Sequence, residues 1–349
     1  MAQSIIDGVS IRGVASAVPD VAFNNMRDAA AFPKEEVRKV VAMAGVAERR
    51  VADAGTCSSD LCFDAAEVLL DALAWPRESI DGLVMVTQTP DYFMPSSSCV
   101  LHKRLGLSDR CAAFDLGLGC SGYPYGLWLA SMMLKSGGLK RVLLLHGETP
   151  THYAGENDRA VSLLFGDAGS ATAVERDDSA AAPWYFTLHT DGAGFDDLIV
   201  HAGGFRDRFC TDARSHYVHM NGANIFNFTI KVIPSLIADT LRLSGRSIDD
   251  VDYYVFHQSN RFIINHLITT CGLQPGRVPI VLDRYGNPGG PSVPLTLTQG
   301  IGEDAGRRPL SVMLLGYGAG LSWGAALVPL PAGIVIRHTE SASRQANTV

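Results

Sequence analysis

The 349-residue chain has no run approaching the roughly 20 apolar residues that a membrane-spanning helix needs. Its first ten residues, MAQSIIDGVS, lack a basic segment followed by an apolar one, so they do not read as an export signal. Positive charge is scarce: Lys and Arg number 29 against 36 Asp and Glu, a net charge of −7. That balance excludes a nucleic-acid protein, because a long phosphate track could not be neutralised. Charged residues make up only 19% and hydrophobic residues 47%, which excludes a disordered chain. The seven cysteines (57, 62, 99, 111, 120, 210 and 271) are an odd number on a long chain without an export signal. No disulfide framework is expected, and a reducing, cytoplasmic compartment is.

What the chain does have is glycine, 35 of them, a supply suited to tight strand-to-helix turns and close backbone approaches. Short aliphatic runs alternate with helical patterns, which predicts a layered α/β protein. Strands are expected over 83–87, 112–116, 142–146, 253–257 and 312–316, and helices over 61–73, 122–135, 225–243 and 260–271. A weak internal repeat runs through this pattern. Ser-Ile-Asp followed by a buried strand occurs at 79 and again at 247, and RVLLLHGETP from 141 resembles SVMLLGYGAG from 311. The repeat divides the chain into two similar halves, 1–180 and 215–330, joined by an irregular Gly-rich stretch over 181–214. The polar tail over 331–349, ending HTESASRQANTV, is expected to fray.

Cys120 is the candidate nucleophile. It follows the apolar run over 112–116 and Gly117 and Gly119, and it precedes Ser121-Gly122 and a long helical pattern. A thiol at a helix N-terminus has its thiolate stabilised, so its pKa is expected to be lowered. The turn also offers backbone N–H groups for a developing oxyanion. The other six cysteines read as small buried apolar residues.

Two candidate partners lie far along the chain. His257 ends a buried strand and opens His257-Gln258-Ser259-Asn260, which directs it into the crevice where α/β proteins bind ligands. A capped or core histidine is the plainer reading of the same residue. Asn287 lies in Gly-Asn-Pro-Gly-Gly-Pro, first of all a turn signal, but its carboxamide could hold a carbonyl oxygen beside a histidine. The run GYGAGLSWG (316–324) reads as a tight hairpin able to bring a backbone N–H near a thioester. His216 and His219 have a metal-like spacing but no third ligand nearby, so no metal is expected.

Taken in order, Cys120 in Gly119-Cys120-Ser121-Gly122, Phe165-Gly166-Asp167-Ala168-Gly169, His257-Gln258-x-Asn260, Gly286-Asn287 and Gly318-Ala319-Gly320-Leu321-Ser322-Trp323-Gly324 resemble β-ketoacyl-acyl-carrier-protein synthase III, of the thiolase-like superfamily. The resemblance spans about Ile11 to Leu330. It implies a five-layered αβαβα fold from two similar halves, a homodimer and no cofactor beyond acyl-carrier-protein or coenzyme A thioesters. By that likeness Cys120 carries the acyl group, with the N–H groups of Cys120 and Ala319 as oxyanion hole. His257 and Asn287 hold the malonyl thioester carbonyl while CO₂ leaves.

Departures from the family pattern bear on the substrate. Lys39 and Met43 stand where an adenine-stacking Trp and an Arg are usual, while Arg159, a third coenzyme-contacting position, is kept. A preference for acyl-carrier-protein thioesters follows. Phe262 replaces a basic residue used in docking the carrier, with Arg261 beside it as substitute. Phe93 and Met94 fall in a loop that, in the family, enters the partner's acyl pocket, where Met94 would admit a group larger than acetyl. These features together suggest a specialised lipid or secondary-metabolite pathway. Two other readings are an acyltransferase using His257 as general base toward a hydroxyl or amine, and a non-catalytic partner subunit, against which the presence of Cys120 counts.

Overall fold

The computed structural model describes residues 2–136, 138–180 and 182–344. The principal strands are β1 (Ala2–Ile6), β2 (Val9–Pro19), β3 (Gly82–Val86), β4 (Ala112–Leu116), β5 (Arg141–Glu148), β6 (Ala168–Arg176), β7 (Trp184–Thr190), β8 (Tyr253–Phe256), β9 (Leu310–Gly318), β10 (Ser322–Leu330) and β11 (Val335–Ser341). They form a six-stranded sheet of order β11-β2-β6-β5-β3-β4 and a five-stranded sheet of order β1-β7-β10-β9-β8. The principal helices are α1 (Ser58–Leu73), α2 (Gly122–Lys135), α3 (Gly222–Ser244), α4 (Arg261–Thr270) and α5 (Ser292–Gly300).

The repeat seen in the sequence is a repeat of strand pairing. In the first sheet β3 runs parallel to β5, β5 antiparallel to β6, and β6 antiparallel to β2. In the second, β8 runs parallel to β9, β9 antiparallel to β10, and β10 antiparallel to β7. Helices α2 and α5 contact strands of both sheets and form the central layer, while α1 packs outside the first sheet and α3, with α4 against it, outside the second. The five-layered αβαβα architecture is therefore present.

Strands covered on both faces are expected to be apolar throughout, and alternation then decides which layer each side chain enters. Val142 and Leu144 of β5 face the central layer while Leu143 and Leu145 face α1. In the second sheet Val255, Val312 and Leu314 turn inward, whereas Tyr254, Phe256, Met313, Leu315 and Tyr317 turn outward. Tyr123, Leu127, Ala130 and Leu134 of α2 are fully buried at helical spacing, as a helix between two sheets requires.

Three boundaries differ from the sequence reading. Within 181–214, Trp184–Thr190 is not irregular: it is β7, with Trp184 and Phe186 among the largest fully buried side chains. The first strand, β1, crosses over to pair antiparallel with β7 in the second sheet. The tail does not fray over Val335–Ser341, which pairs parallel with β2 from Gly13 to Pro19. Its composition is polar because it is an edge strand, yet Ile336 packs on the core and Ser341 is buried. Residues 345–349 lie outside the described residues.

Ending the chain after Ile334 is therefore expected to uncover the backbone edge of β2. The truncated chain should lose at least about 1–3 kcal/mol in denaturant unfolding or associate in solution. An unchanged midpoint and a monodisperse sample would show that the tail adds nothing.

Candidate active site

Both central helices begin at one place, where the carboxyl ends of β4, β8 and β9 also arrive. Cys120 stands between β4 and α2, and the Gly122 N–H closes back on the Gly119 carbonyl at 2.7 Å. The β9–β10 hairpin presses on this turn. A Cβ at Gly316 would lie 2.8 Å from the Cys120 carbonyl oxygen, and one at Gly318 only 2.6 Å from Cys120 Cβ and 3.0 Å from Sγ. Glycine at these two positions is what allows the approach. The hairpin is pinned by hydroxyls: Ser322 Oγ donates to the Ala319 carbonyl at 2.9 Å, so Ser121 Oγ donates to Ser322 Oγ at 2.6 Å.

The backbone N–H groups of Cys120 and Ala319 both stabilise negative charge on the sulfur, but burial opposes them, and the nearby Glu148 carboxyl adds to the opposition. The thiol is pushed up to about 12. This corrects the expectation of a lowered pKa. The two N–H groups act in the predicted direction, yet desolvation of the charged form outweighs them.

His257 follows the last residue of β8, its own N–H bonded to the Leu315 carbonyl at 2.7 Å. Its ring packs edge-on to Tyr317 at 5.4 Å between centroids. Nδ1 lies 2.8 Å from Ser292 Oγ and 3.1 Å from the Gly289 carbonyl. Burial lowers the ring to about 4, so it is neutral near pH 7. The plainer alternative, a histidine satisfied on both nitrogens, does not hold: among the described residues Nε2 has no hydrogen-bond partner, and it is not sealed from solvent as the ring of His146 is.

Asn287 is clamped by the Phe165-Gly166 segment. Its N–H donates to the Leu164 carbonyl at 2.9 Å, and its own carbonyl accepts from the Gly166 N–H at 3.2 Å. Gly286 before it has φ +67°, and a Cβ there would meet the Leu164 carbonyl oxygen at 2.8 Å. The Asn287 side-chain Oδ1 accepts the Gly289 N–H at 2.9 Å, which orients the carboxamide. Nδ2 donates one hydrogen to the Ser259 carbonyl at 3.3 Å and keeps a second to offer. Gly289 thus touches both residues, its N–H on Asn287 and its carbonyl beside His257.

Four further side chains at the site escaped the sequence reading. Glu148 ends β5, buried, accepting the Gln88 N–H at 2.8 Å and the Thr89 hydroxyl at 3.1 Å, and burial pushes its carboxyl up to about 8. His146, two residues earlier, faces the central layer, where a Cβ at Gly290 would lie 2.0 Å from its ring. The second glycine of Pro-Gly-Gly-Pro is thereby explained. Tyr317 and Ser292 complete the set. The signal was available for the first two: a His and a Glu inside the otherwise apolar run LLLHGE.

The remaining predicted residues are not gathered at the sulfur. Arg159 is an exposed residue paired with Glu36 at 2.5 Å. Arg261 opens α4 and lies over Gly45, whose Cβ would fall 2.6 Å from Arg261 Nε. Phe262 beside it is exposed and stacks on Phe226. Phe93 and Met94 are 62% and 84% exposed, with Phe93 against Phe205 at 5.5 Å and under the Arg208 guanidinium.

Two family models describing 3-oxoacyl-[acyl-carrier-protein] synthase III match the chain, one over residues 114–192 and its C-terminal counterpart over 241–330. A β-ketoacyl-[acyl-carrier-protein] synthase III of Rhodopirellula baltica is 32% identical over 343 residues, covering 92% of this chain and 98% of its own. A crystal structure of a 3-oxoacyl-(acyl-carrier protein) synthase from Burkholderia xenovorans superposes with a TM-score of 0.94 at 38% identity, covering 97% of this chain and 99% of that one. The Thermus thermophilus synthase III structure gives a TM-score of 0.84 at 31% identity, covering 93% and 99%.

Two outcomes follow from the geometry. Gly318→Ala should lower acylation of Cys120 by at least about 100-fold, since its methyl displaces the sulfur from the N–H pair; intact-protein mass after exposure to an acyl thioester reads this. Alkylation of Cys120 should rise about tenfold per pH unit from about pH 7 to about pH 9, because the thiol stays protonated across that range. A plateau in that range would contradict the raised pKa.

Proposed function

The chain belongs to the 3-oxoacyl-[acyl-carrier-protein] synthase III family, and from that premise we propose that it joins an acyl group carried on Cys120 to a malonyl group carried on acyl-carrier protein. The observation that carries the reading is how the two side chains are held: the His257 imidazole at Nδ1 by Ser292 Oγ and the Asn287 carboxamide at Oδ1 by the Gly289 N–H, neighbours in one turn, each with one polar atom left uncommitted.

In the first step Sγ attacks the carbonyl carbon of an acyl thioester. A carbon–sulfur bond forms to Cys120, the bond to the carrier sulfur breaks, and the Cys120 proton leaves with the departing thiol. The Cys120 and Ala319 N–H groups hold the oxygen of the tetrahedral intermediate. In the second step the malonyl thioester carbonyl lies against His257 and Asn287 Nδ2. The carbon–carbon bond to the carboxylate breaks, CO₂ departs, and the electron pair becomes an enolate whose oxygen these two donors stabilise. The enolate carbon attacks the acyl-Cys carbonyl, the new carbon–carbon bond forms, and the Cys120 sulfur leaves as thiolate and takes a proton from water.

Carrier protein, rather than coenzyme A, is proposed as donor. Met43 is an exposed thioether and Lys39 a flexible ammonium, so neither supplies a flat face for adenine, and Arg159 is engaged by Glu36. A homodimer is proposed as well. Among the described residues the edge strand β4 has no neighbour on one side, and Phe93 and Met94 stand clear of the surface for a second copy to receive. In that dimer Met94 of one copy would enter the acyl pocket of the other, where a flexible methionine leaves room for an acyl group larger than acetyl, in keeping with a specialised pathway.

Cys120→Ala should gain no acyl mass, while Asn287→Ala should acylate normally and lose β-ketoacyl product by about 100-fold or more. Labelled malonyl carrier protein distinguishes the second reading. Release of CO₂ coupled to product supports condensation; acyl transfer to a hydroxyl or amine without CO₂ release would replace it.

A further inference from the structure

The side chain of Ser292 is wholly buried at the first position of α5 and touches the face of His257 turned away from the crevice. Its Oγ lies 2.8 Å from Nδ1 and accepts the Gln258 N–H at 3.1 Å. Gln258 is itself fixed: its Nε2 donates to the Phe256 carbonyl at 2.9 Å and its Oε1 accepts the Val281 N–H at 3.1 Å.

Counting hydrogens around Nδ1 separates the two tautomers of a neutral ring. Nδ1 faces a hydroxyl, which can give or take a hydrogen, and the Gly289 carbonyl, which can only take one. That carbonyl already accepts the Ser292 N–H at 3.2 Å, so it does not require the histidine. The hydroxyl hydrogen is different. Among the described residues the only acceptor within reach of Ser292 Oγ is Nδ1. If Nδ1 bore the proton, it would bond Gly289 and leave a buried hydroxyl hydrogen without an acceptor. If Nε2 bears it, Ser292 donates to Nδ1 over the shorter distance, Gln258 donates to Ser292, every buried hydrogen has a partner, and the Gly289 carbonyl stays beside Nδ1 as an unbonded contact at 3.1 Å, its own acceptor capacity met by the Ser292 N–H. A buried donor left without an acceptor disfavours the arrangement that strands it.

We propose that Ser292 is a positioning residue that fixes the tautomer of His257, holding the proton on Nε2, the atom that opens to the crevice. The neutral histidine is thereby a hydrogen-bond donor and has no lone pair there with which to take a proton. The consequence for catalysis rests on the condensation reading, in which a donor is needed for the enolate oxygen. A general base toward a hydroxyl or amine would need the opposite tautomer. Ser292 acts through His257 and does not touch the reacting atoms.

The test reads the tautomer directly. Long-range ¹H–¹⁵N correlation on the intact protein labelled with ¹⁵N-histidine, with the His257 signals identified by their loss in His257→Gln, should show Nε2 protonated and Nδ1 bare in the native chain. In Ser292→Ala the ring should go over to the Nδ1–H form on the Gly289 carbonyl. CO₂ release from malonyl carrier protein should then fall about 100-fold in kcat with little change in KM. Ser292→Thr, which keeps the hydroxyl, should restore both. A native ring protonated on Nδ1 overturns the proposal, as does a Ser292→Ala variant that keeps the Nε2–H form. If the native ring is protonated on Nε2 and no CO₂ is released, the tautomer assignment stands and the condensation reading fails.

Discussion

The site depends on one close approach of backbone to backbone. The hairpin that ends β9 lies against the Cys120 turn so tightly that no side chain fits at Gly316 or Gly318. That approach brings the Ala319 N–H to the sulfur from a second element, beside the N–H of Cys120 itself. Ser121 and Ser322 hold the two elements in register from the side. The layered fold supplies the rest of the constraint. Its two central helices start at the same point, so the turn bearing Cys120 and the turn bearing Asn287 face one another across the repeat.

Burial then sets the charge state of everything in the crevice. The Cys120 thiol and the Glu148 carboxyl are pushed up, to about 12 and about 8, while the His257 and His146 rings are pushed down, to about 4 and about 3. All four are therefore mainly uncharged near pH 7. A site of neutral, oriented dipoles suits chemistry in which charge appears on the substrate, first on a thioester oxygen and then on an enolate. It suits poorly a mechanism resting on a preformed thiolate-imidazolium pair. The turn Pro288-Gly289-Gly290-Pro291 belongs to the same frame, because Gly290 yields the space that the His146 ring fills.

Much of this was legible in the amino-acid order. The two halves were visible because each contributes a parallel strand pair whose apolar runs recur, and α2 was readable to the residue because Tyr123, Leu127, Ala130 and Leu134 repeat at helical spacing. Cys120, His257 and Asn287 stood out because each lies at a strand end or glycine turn. What the order of residues hid was tertiary. β11 looked like a frayed tail because an edge strand need not be apolar, and β7 was lost in a glycine-rich stretch whose core residues, Trp184 and Phe186, are only two positions apart. The raised Cys120 pKa is not legible in the sequence because a helix terminus is a local feature, whereas desolvation depends on what packs around the thiol from elsewhere in the chain. Ser292 was invisible because a serine acquires its meaning from the ring it touches 35 residues away.

The central claim is that the acyl group on Cys120 leaves by forming a carbon–carbon bond. A single-turnover chase measures this most directly: acylate the protein, remove free thioester, add labelled malonyl carrier protein, and follow Cys120 mass and CO₂ together. The account predicts one CO₂ released and one β-ketoacyl carrier formed for each acyl group lost from Cys120. Loss of the acyl group without CO₂, or CO₂ release with the acyl group still on the sulfur and no β-ketoacyl product, would contradict it.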